Sequence, residues 1–226
     1  AAAHYAQYGL QEGRAPGGAA ATQSGVVTDG YVSGATVWAD QDGDGVQDPD
    51  EPTTTTDANG KFAFTDSTSA EVEVGGQIFA SGGTDITTGL DFEGTLSAPE
   101  NSNTVSPLTS LVNLVQQHTG FGAEDAEARV KRTLGLDDQV DLNTFDPIAV
   151  LGDDNATDEQ KQAALQVQAA TSQVVNVAST AGAAASGATG NETGGAGNDQ
   201  ALSAIAQAIS NSGDDETIDL ADSEPV

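Results

Sequence analysis

Residues 40 to 51 read DQDGDGVQDPDE and place six carboxylates in twelve positions. Counted from Asp40, acids stand first, third, fifth, ninth and twelfth: Asp40, Asp42, Asp44, Asp48 and Glu51. Gly45 stands sixth and Val46 seventh. This is the ligand order of a twelve-residue calcium loop, in which the seventh residue offers its backbone carbonyl and the twelfth both oxygens of a glutamate. Calcium takes six to eight hard oxygens, and alternate side chains of a tight loop converge on one point. Without a cation such a group of carboxylates repels itself. A merely solvated acidic turn has no need of this order, and only Asp50 falls outside it. Magnesium prefers fewer carboxylates and more water. The expected metal ligands are therefore Asp40, Asp42, Asp44, Val46, Asp48 and Glu51, and the expected cofactor is calcium.

The flanks decide what such a metal does. VSGATVWA precedes the loop and PTTTTDANGKFAF follows it. Both read as extended chain, and Pro49 and Pro52 oppose helix. A sensor loop sits between two helices, whereas this one sits between strands. The spacing therefore predicts a brace that clamps strands and does not switch.

The elements that must position the loop follow from the rest of the chain. Residues 1–24 begin as a short helix, AAAHYAQYGLQEGR, and continue as a linker. Residues 25–98 read as β, with Asp57-Ala58-Asn59-Gly60 as a turn and EVEV and QIFA as further strands. Residues 99–213 read as a helical bundle of about four helices. Ser106 is the natural N-cap of the first, Pro107 its first residue and Gly120 its stop. AEDAEARVKRTLGL carries acids early and bases late, as a helix dipole prefers. Thr157 and Gln160 fit a capping box before a long helix. Ala164, Val167, Thr171, Val174, Val175 and Ala178 should face inward along it. GATGNETGGAGND reads as a glycine-rich loop. Leu202, Ile205, Ala206 and Ile209 share one face of a last helix. Residues 214–226 form an acidic tail. The expected class is α+β: a short N-terminal helix, a small antiparallel β-sandwich with the calcium loop, then an α-helical bundle.

Composition narrows the function. The chain has 226 residues, with six Lys+Arg against thirty-five Asp+Glu and a net charge of −29. That balance opposes nucleic acid, whose phosphates need a basic partner, and opposes anionic membranes. It favours cations and solubility, as a solvated halophilic or marine surface does. With no Cys, disulfides, zinc–thiolate sites and thiol chemistry are excluded. With no Met, position 1 included, a processed or partial segment is expected. No apolar run has the length of a membrane-spanning helix, so membrane insertion is not expected.

DGYVSGATVWADQDGDGVQDPDEPTTTTDANGKFAF resembles the calcium-containing B-type repeats of bacterial surface adhesins and the related prealbumin-like modules of secreted proteins. The shared pattern is a "GA-V" strand, the acidic loop, an "E-P" and a "T-D-x-x-G-x-[FY]-x-F" strand, over about forty residues. The resemblance implies an antiparallel β-sandwich and a structural, non-catalytic role. Some such modules carry a Lys–Asn crosslink. Lys61, the only lysine of the β part, stands in the wrong strand for it, so the crosslink is not carried over. AAAHYAQYGLQEGRAPG resembles a short helical repeat of large secreted RTX-type and S-layer-like bacterial proteins, with the first half of the repeat absent. GGTDITTGLDFEGTLSAP and the segments after it are similar to stretches that follow such β modules.

Other candidates read as ordinary structure. His118 sits at a helix end, where the dipole favours it. Asp85 is a turn residue before it is a ligand. GDDNATDE, residues 152 to 159, can hold a cation, but Thr157 explains part of it as a helix cap. Asn155-Ala-Thr and Asn191-Glu-Thr match the glycosylation pattern and read as polar loops. No G-x-S-x-G elbow or HExxH occurs. The expectation is a non-enzymatic extracellular module of a bacterial surface or matrix protein that self-associates into a filament, lattice or adhesin stalk. The alternatives are a domain that binds carbohydrate or another cell-surface ligand, and, weakest, an accessory domain of a secreted hydrolase.

Overall fold

The computed structural model describes residues 23–65, 74–189 and 194–213. The expected N-terminal helix, most of the EVEV strand, Asn191 and the acidic tail lie outside the described residues.

Among the described residues, nine strands come first: β1 Ser24–Val27, β2 Val32–Ser33, β3 Thr36–Asp40, β4 Thr53–Thr55, β5 Lys61–Ala63, β6 Gln77–Ser81, β7 Thr84–Asp85, β8 Thr95–Ala98 and β9 Thr104–Val105. Five helices follow: α1 Pro107–Thr119, α2 Ala123–Thr133, α3 Pro147–Gly152, α4 Asp158–Thr189 and α5 Gly194–Asn211. The described residues are thus mixed α and β, with their helices in the C-terminal half.

One sheet has the order β4-β3-β6-β8 and is antiparallel throughout; a second has the order β5-β1-β9, and β2 pairs with β7. Antiparallel pairing fails at one place: β9 runs parallel to β1. A parallel pair cannot be closed by a tight hairpin and needs a long crossover. Here the rest of the β region supplies it. Val27, Phe62 and Val105 of the three-stranded sheet share one apolar core with Val37, Ile78 and Leu96 of the other. Strand β6 alternates as a half-buried strand should, with Ile78 and Ala80 inward. Strand β3 is buried on both faces, because Trp38 stacks on Phe79 at 5.4 Å while Val37 and Ala39 enter the core.

The helices enclose a second core of Leu111, Val130, Val174, Ile205 and Ile209 with their neighbours. Helix α1 begins as its sequence demands: the Ser106 hydroxyl accepts from Thr109 N, Pro107 opens the first turn and left-handed Gly120 closes the last. Of the six residues expected inward on α4, Ala164, Val167, Val174 and Ala178 are buried, while Thr171 and Val175 are half-buried. Helix α3 has no counterpart in the sequence reading. Its signal was Asp146-Pro147: the Asp146 carboxylate accepts from Ile148 N and Ala149 N, and Pro147 is the first helical residue.

The glycine-rich stretch 187–199 is a correction. It was expected to be a loop, yet α4 reaches Thr189 and α5 starts at Gly194. Gly197 of this stretch packs against Gly182 of α4. A Cβ on Gly182 would lie 2.8 Å from Gly197 C, and one on Gly197 would lie 2.7 Å from Gly182 O. The two backbones meet where no side chain fits. That contact offsets the usual helical cost of glycine, about 1 kcal/mol.

The two halves are stitched together. Ser97 N donates to Ser110 Oγ at 2.8 Å, Thr109 Oγ1 donates to Ser97 O at 2.9 Å, and Tyr31 OH donates to Asp146 Oδ2 at 2.9 Å. Within the helical half, buried Lys131 pairs with buried Glu127 at 3.2 Å and donates to the carbonyls of Asp138 and Val140.

Candidate metal centre

The acidic loop joins β3 to β4, two paired antiparallel strands, so strands do flank it on both sides. Asp40 is the last residue of β3 and is only 2% exposed. A buried carboxylate must be satisfied. Its Oδ1 accepts from Gly43 N at 2.7 Å and its Oδ2 from Gly45 N at 2.8 Å. The chain curls around this side chain because Gly43 and Gly45 take left-handed conformations, with φ 82° and 74°. The pattern then steps along the loop: Asp42 Oδ1 accepts from Asp44 N at 3.2 Å, and Asp44 Oδ1 from Val46 N at 2.7 Å. Glu51 ties entry to exit, accepting from Gln41 N at 2.8 Å and Asp48 N at 3.0 Å.

One carboxylate oxygen from each of Asp40, Asp42 and Asp44 lies within 4.8 Å of the others. Two oxygens bonded to one calcium at about 2.5 Å can be at most about 5 Å apart. The three are thus close enough to share an ion. Asp48 belongs to the same electrostatic group. Lost hydration inside the loop, then the carboxylates of Asp44, Asp42, Glu51 and Asp50, hold its carboxyl above the usual range. Val46 turns its side chain to solvent, and the sequence reading asks only for its carbonyl. The geometry therefore gathers Asp40, Asp42 and Asp44, keeps Asp48 beside them, and engages Glu51 with backbone amides.

Two residues that seat the loop were not read from the sequence. Gly76 has φ 97°, and a Cβ there would fall 1.9 Å from Asp40 O. Only glycine lets the chain pass the mouth of the loop. The Gly75-Gly76 pair between EVEV and QIFA was its signal. Gln77 pairs in register with Asp40. Its Oε1 accepts from Asn113 Nδ2 at 3.2 Å and Gln117 Nε2 at 3.3 Å, which ties the base of the loop to α1.

The other sequence candidates fall elsewhere. Asp85 is a turn residue: its carboxylate accepts from Thr87 N at 2.7 Å and Thr88 Oγ1 at 2.8 Å. Asp153 accepts from Asn155 N at 2.8 Å and Asn155 Nδ2 at 3.0 Å. His118 lies in the last turn of α1 and is exposed. Among the described residues, no second group of three acids gathers as Asp40, Asp42 and Asp44 do. No family model, curated protein or solved structure matches the chain.

Proposed function

We propose that this chain is a non-enzymatic, calcium-stabilised structural module of a bacterial cell-surface or extracellular matrix protein. In this reading the β region is a sandwich, and calcium at Asp40, Asp42, Asp44, Val46, Asp48 and Glu51 fastens β3 to β4. The observation that carries it is the ordered loop. Three carboxylates within 4.8 Å of one another are held by backbone amides between two paired strands. The net charge of −29 supports a module whose copies repel until a divalent cation screens them. Self-association into a filament, lattice or stalk follows from that.

The test is thermal unfolding in calcium and in EDTA. A ligand that binds only the folded state stabilises by RT ln(1 + [L]/Kd), about 2.7 kcal/mol at a hundredfold excess. EDTA should lower the melting temperature, and Asp44→Ala should reproduce the EDTA result in the presence of calcium. An unchanged melting temperature in both cases would sink the calcium reading. Light scattering at millimolar calcium tests assembly separately, since a monomer at every concentration removes self-association and leaves the brace standing.

A further inference from the structure

A groove lies where the β7 turn and the segment after it, residues 88–93, meet α4 and α5. Leu90, Phe92 and Val175 give it apolar walls, and its volume is about 460 Å³. A smaller recess of about 40 Å³ continues inward past Leu96 and Leu202. Leu90 is 69% exposed and Ile86, on the same turn, 47% exposed. Exposed apolar groups gathered at a concavity mark a surface that receives something.

The groove is preformed. Asn198 Nδ2 donates to Glu93 O at 3.2 Å, and Thr95 N donates to Asp199 Oδ1 at 2.9 Å. A Cβ on Gly195 would lie 2.9 Å from Gly94 N, so the strand entry and α5 touch backbone to backbone.

Charge decides the occupant. Asp29, Asp85, Asp91 and Glu93 line the same space, and among the described residues no ion pair neutralises them. Asp85 is engaged by its own turn, whereas among the described residues the half-buried Asp29 carboxylate receives no hydrogen bond. Burial, then the charge of Asp85, pushes its carboxyl up to about 6. The place lacks a positive charge beside an apolar wall. We propose that this groove binds an organic cation, an ammonium or guanidinium carried on an aliphatic stem. The stem lies along Leu90, Phe92 and Val175, and the cation faces Asp29. This site is separate from the metal loop and does not depend on it.

The experiment is a titration of the whole chain with agmatine at 0.1 M sodium chloride, followed by calorimetry and by amide chemical shifts. The expected result is saturable one-to-one binding, with shifts at Asp29, Leu90 and Val175, and none with 1-butanol. Asp29→Asn keeps the shape of the site and should weaken binding at least tenfold. Val175→Arg carries a cation into the groove from the surface of α4 and should abolish binding even if Asp29→Asn fails to fold. Asp153→Asn, remote from the groove, should leave affinity within twofold. Non-saturable binding would overturn the proposal. So would equal weakening by Asp29→Asn and Asp153→Asn, or full displacement of agmatine by an equal concentration of magnesium, since each would reduce the groove to diffuse acidity.

Discussion

The β3–β4 loop and the turn at residues 152–159 look alike as text. Each is a short stretch dense in aspartate and glutamate, and each was a cation candidate. Folded, they diverge. In the loop, buried Asp40 accepts two amides across the turn, and three carboxylates converge within 4.8 Å. In the turn, the exposed Asp153 carboxylate accepts from Asn155 two residues on, and Thr157 and Gln160 cap α4. The loop aims its acids at one point, whereas the turn spends its polar groups on starting a helix. What separates them is the alternation of acids with glycines at Gly43 and Gly45, together with a strand partner that fixes both ends.

If that is right, the seat of the loop should be its most sensitive place. Gly76→Ala sets a Cβ against Asp40 O and imposes an unfavourable φ. It should cost on the order of 3 kcal/mol or more in urea unfolding. Gly152→Ala ends α3 with nothing within 4 Å of the new Cβ and should change stability by a few tenths of a kcal/mol. Equal effects would break the contrast between the regions. Next in size is Asp40→Ala. It leaves Gly43 N and Gly45 N without their acceptor, a loss of roughly 2–4 kcal/mol from hydrogen bonds to a charged group. Measured in EDTA, this separates the scaffolding role of Asp40 from any ion. Asp153→Ala removes only local, exposed hydrogen bonds to Asn155 and should move the unfolding midpoint far less than Asp40→Ala.

What the sequence disclosed tracks how local the cause was. The convergence of Asp40, Asp42 and Asp44 was legible because the spacing of acids and glycines is a property of twelve consecutive residues. The ends of α1, Ser106 and Gly120, and the capping box at Thr157 were legible for the same reason. The helical run through Gly195–Gly197 was not. Its glycines are explained by backbones that meet only after α4 and α5 pack. The parallel pairing of β9 with β1 and the role of Gly76 were hidden likewise, since each depends on a partner far along the chain. The acidic groove was invisible, because Asp29, Asp85, Glu93 and Val175 come together only in three dimensions.

The groove extends the comparison to an acid that is desolvated without being satisfied. With the Asp29 carboxyl at about 6, above its ordinary 3.8, the native state holds the proton more tightly than the unfolded chain. The sign is opposite to that of a salt-bridged aspartate: stability falls as pH rises from about 4 to 6, and the full penalty is present above that. Asp29→Asn should therefore stabilise by about 1–3 kcal/mol at pH 7 and by nothing measurable at pH 4. Chemical unfolding at the two pH values checks it. A stabilisation of the same size at both would trace the gain to packing and not to ionisation.

The smallest effect belongs to the turn itself. Thr157 Oγ1 accepts from Gln160 N at 3.2 Å, and Gln160 Oε1 accepts from Thr157 N at 2.9 Å. Thr157→Ala removes half of that box in full solvent and should cost about 0.5–1 kcal/mol. The nearby acids work in the same direction. Asp153 is held below the usual carboxylate range by the backbone and side chain of Asn155, and Glu159 by its own backbone amide and the Thr157 hydroxyl. Their contribution is therefore present at neutral pH and lost as pH falls below the ordinary carboxylate values. Hydrogen exchange of the first turn of α4 reads both effects directly. Thr157→Ala, and acid below the ordinary carboxylate values, should each lower protection there relative to the intrinsic exchange rate at that pH, and calcium should leave protection unchanged. If calcium slowed exchange at Asp158–Lys161 as strongly as at Gly43–Val46, the turn would also be a cation site. The distinction between ordered and merely dense acidity would then fail at the point where the two stretches were separated.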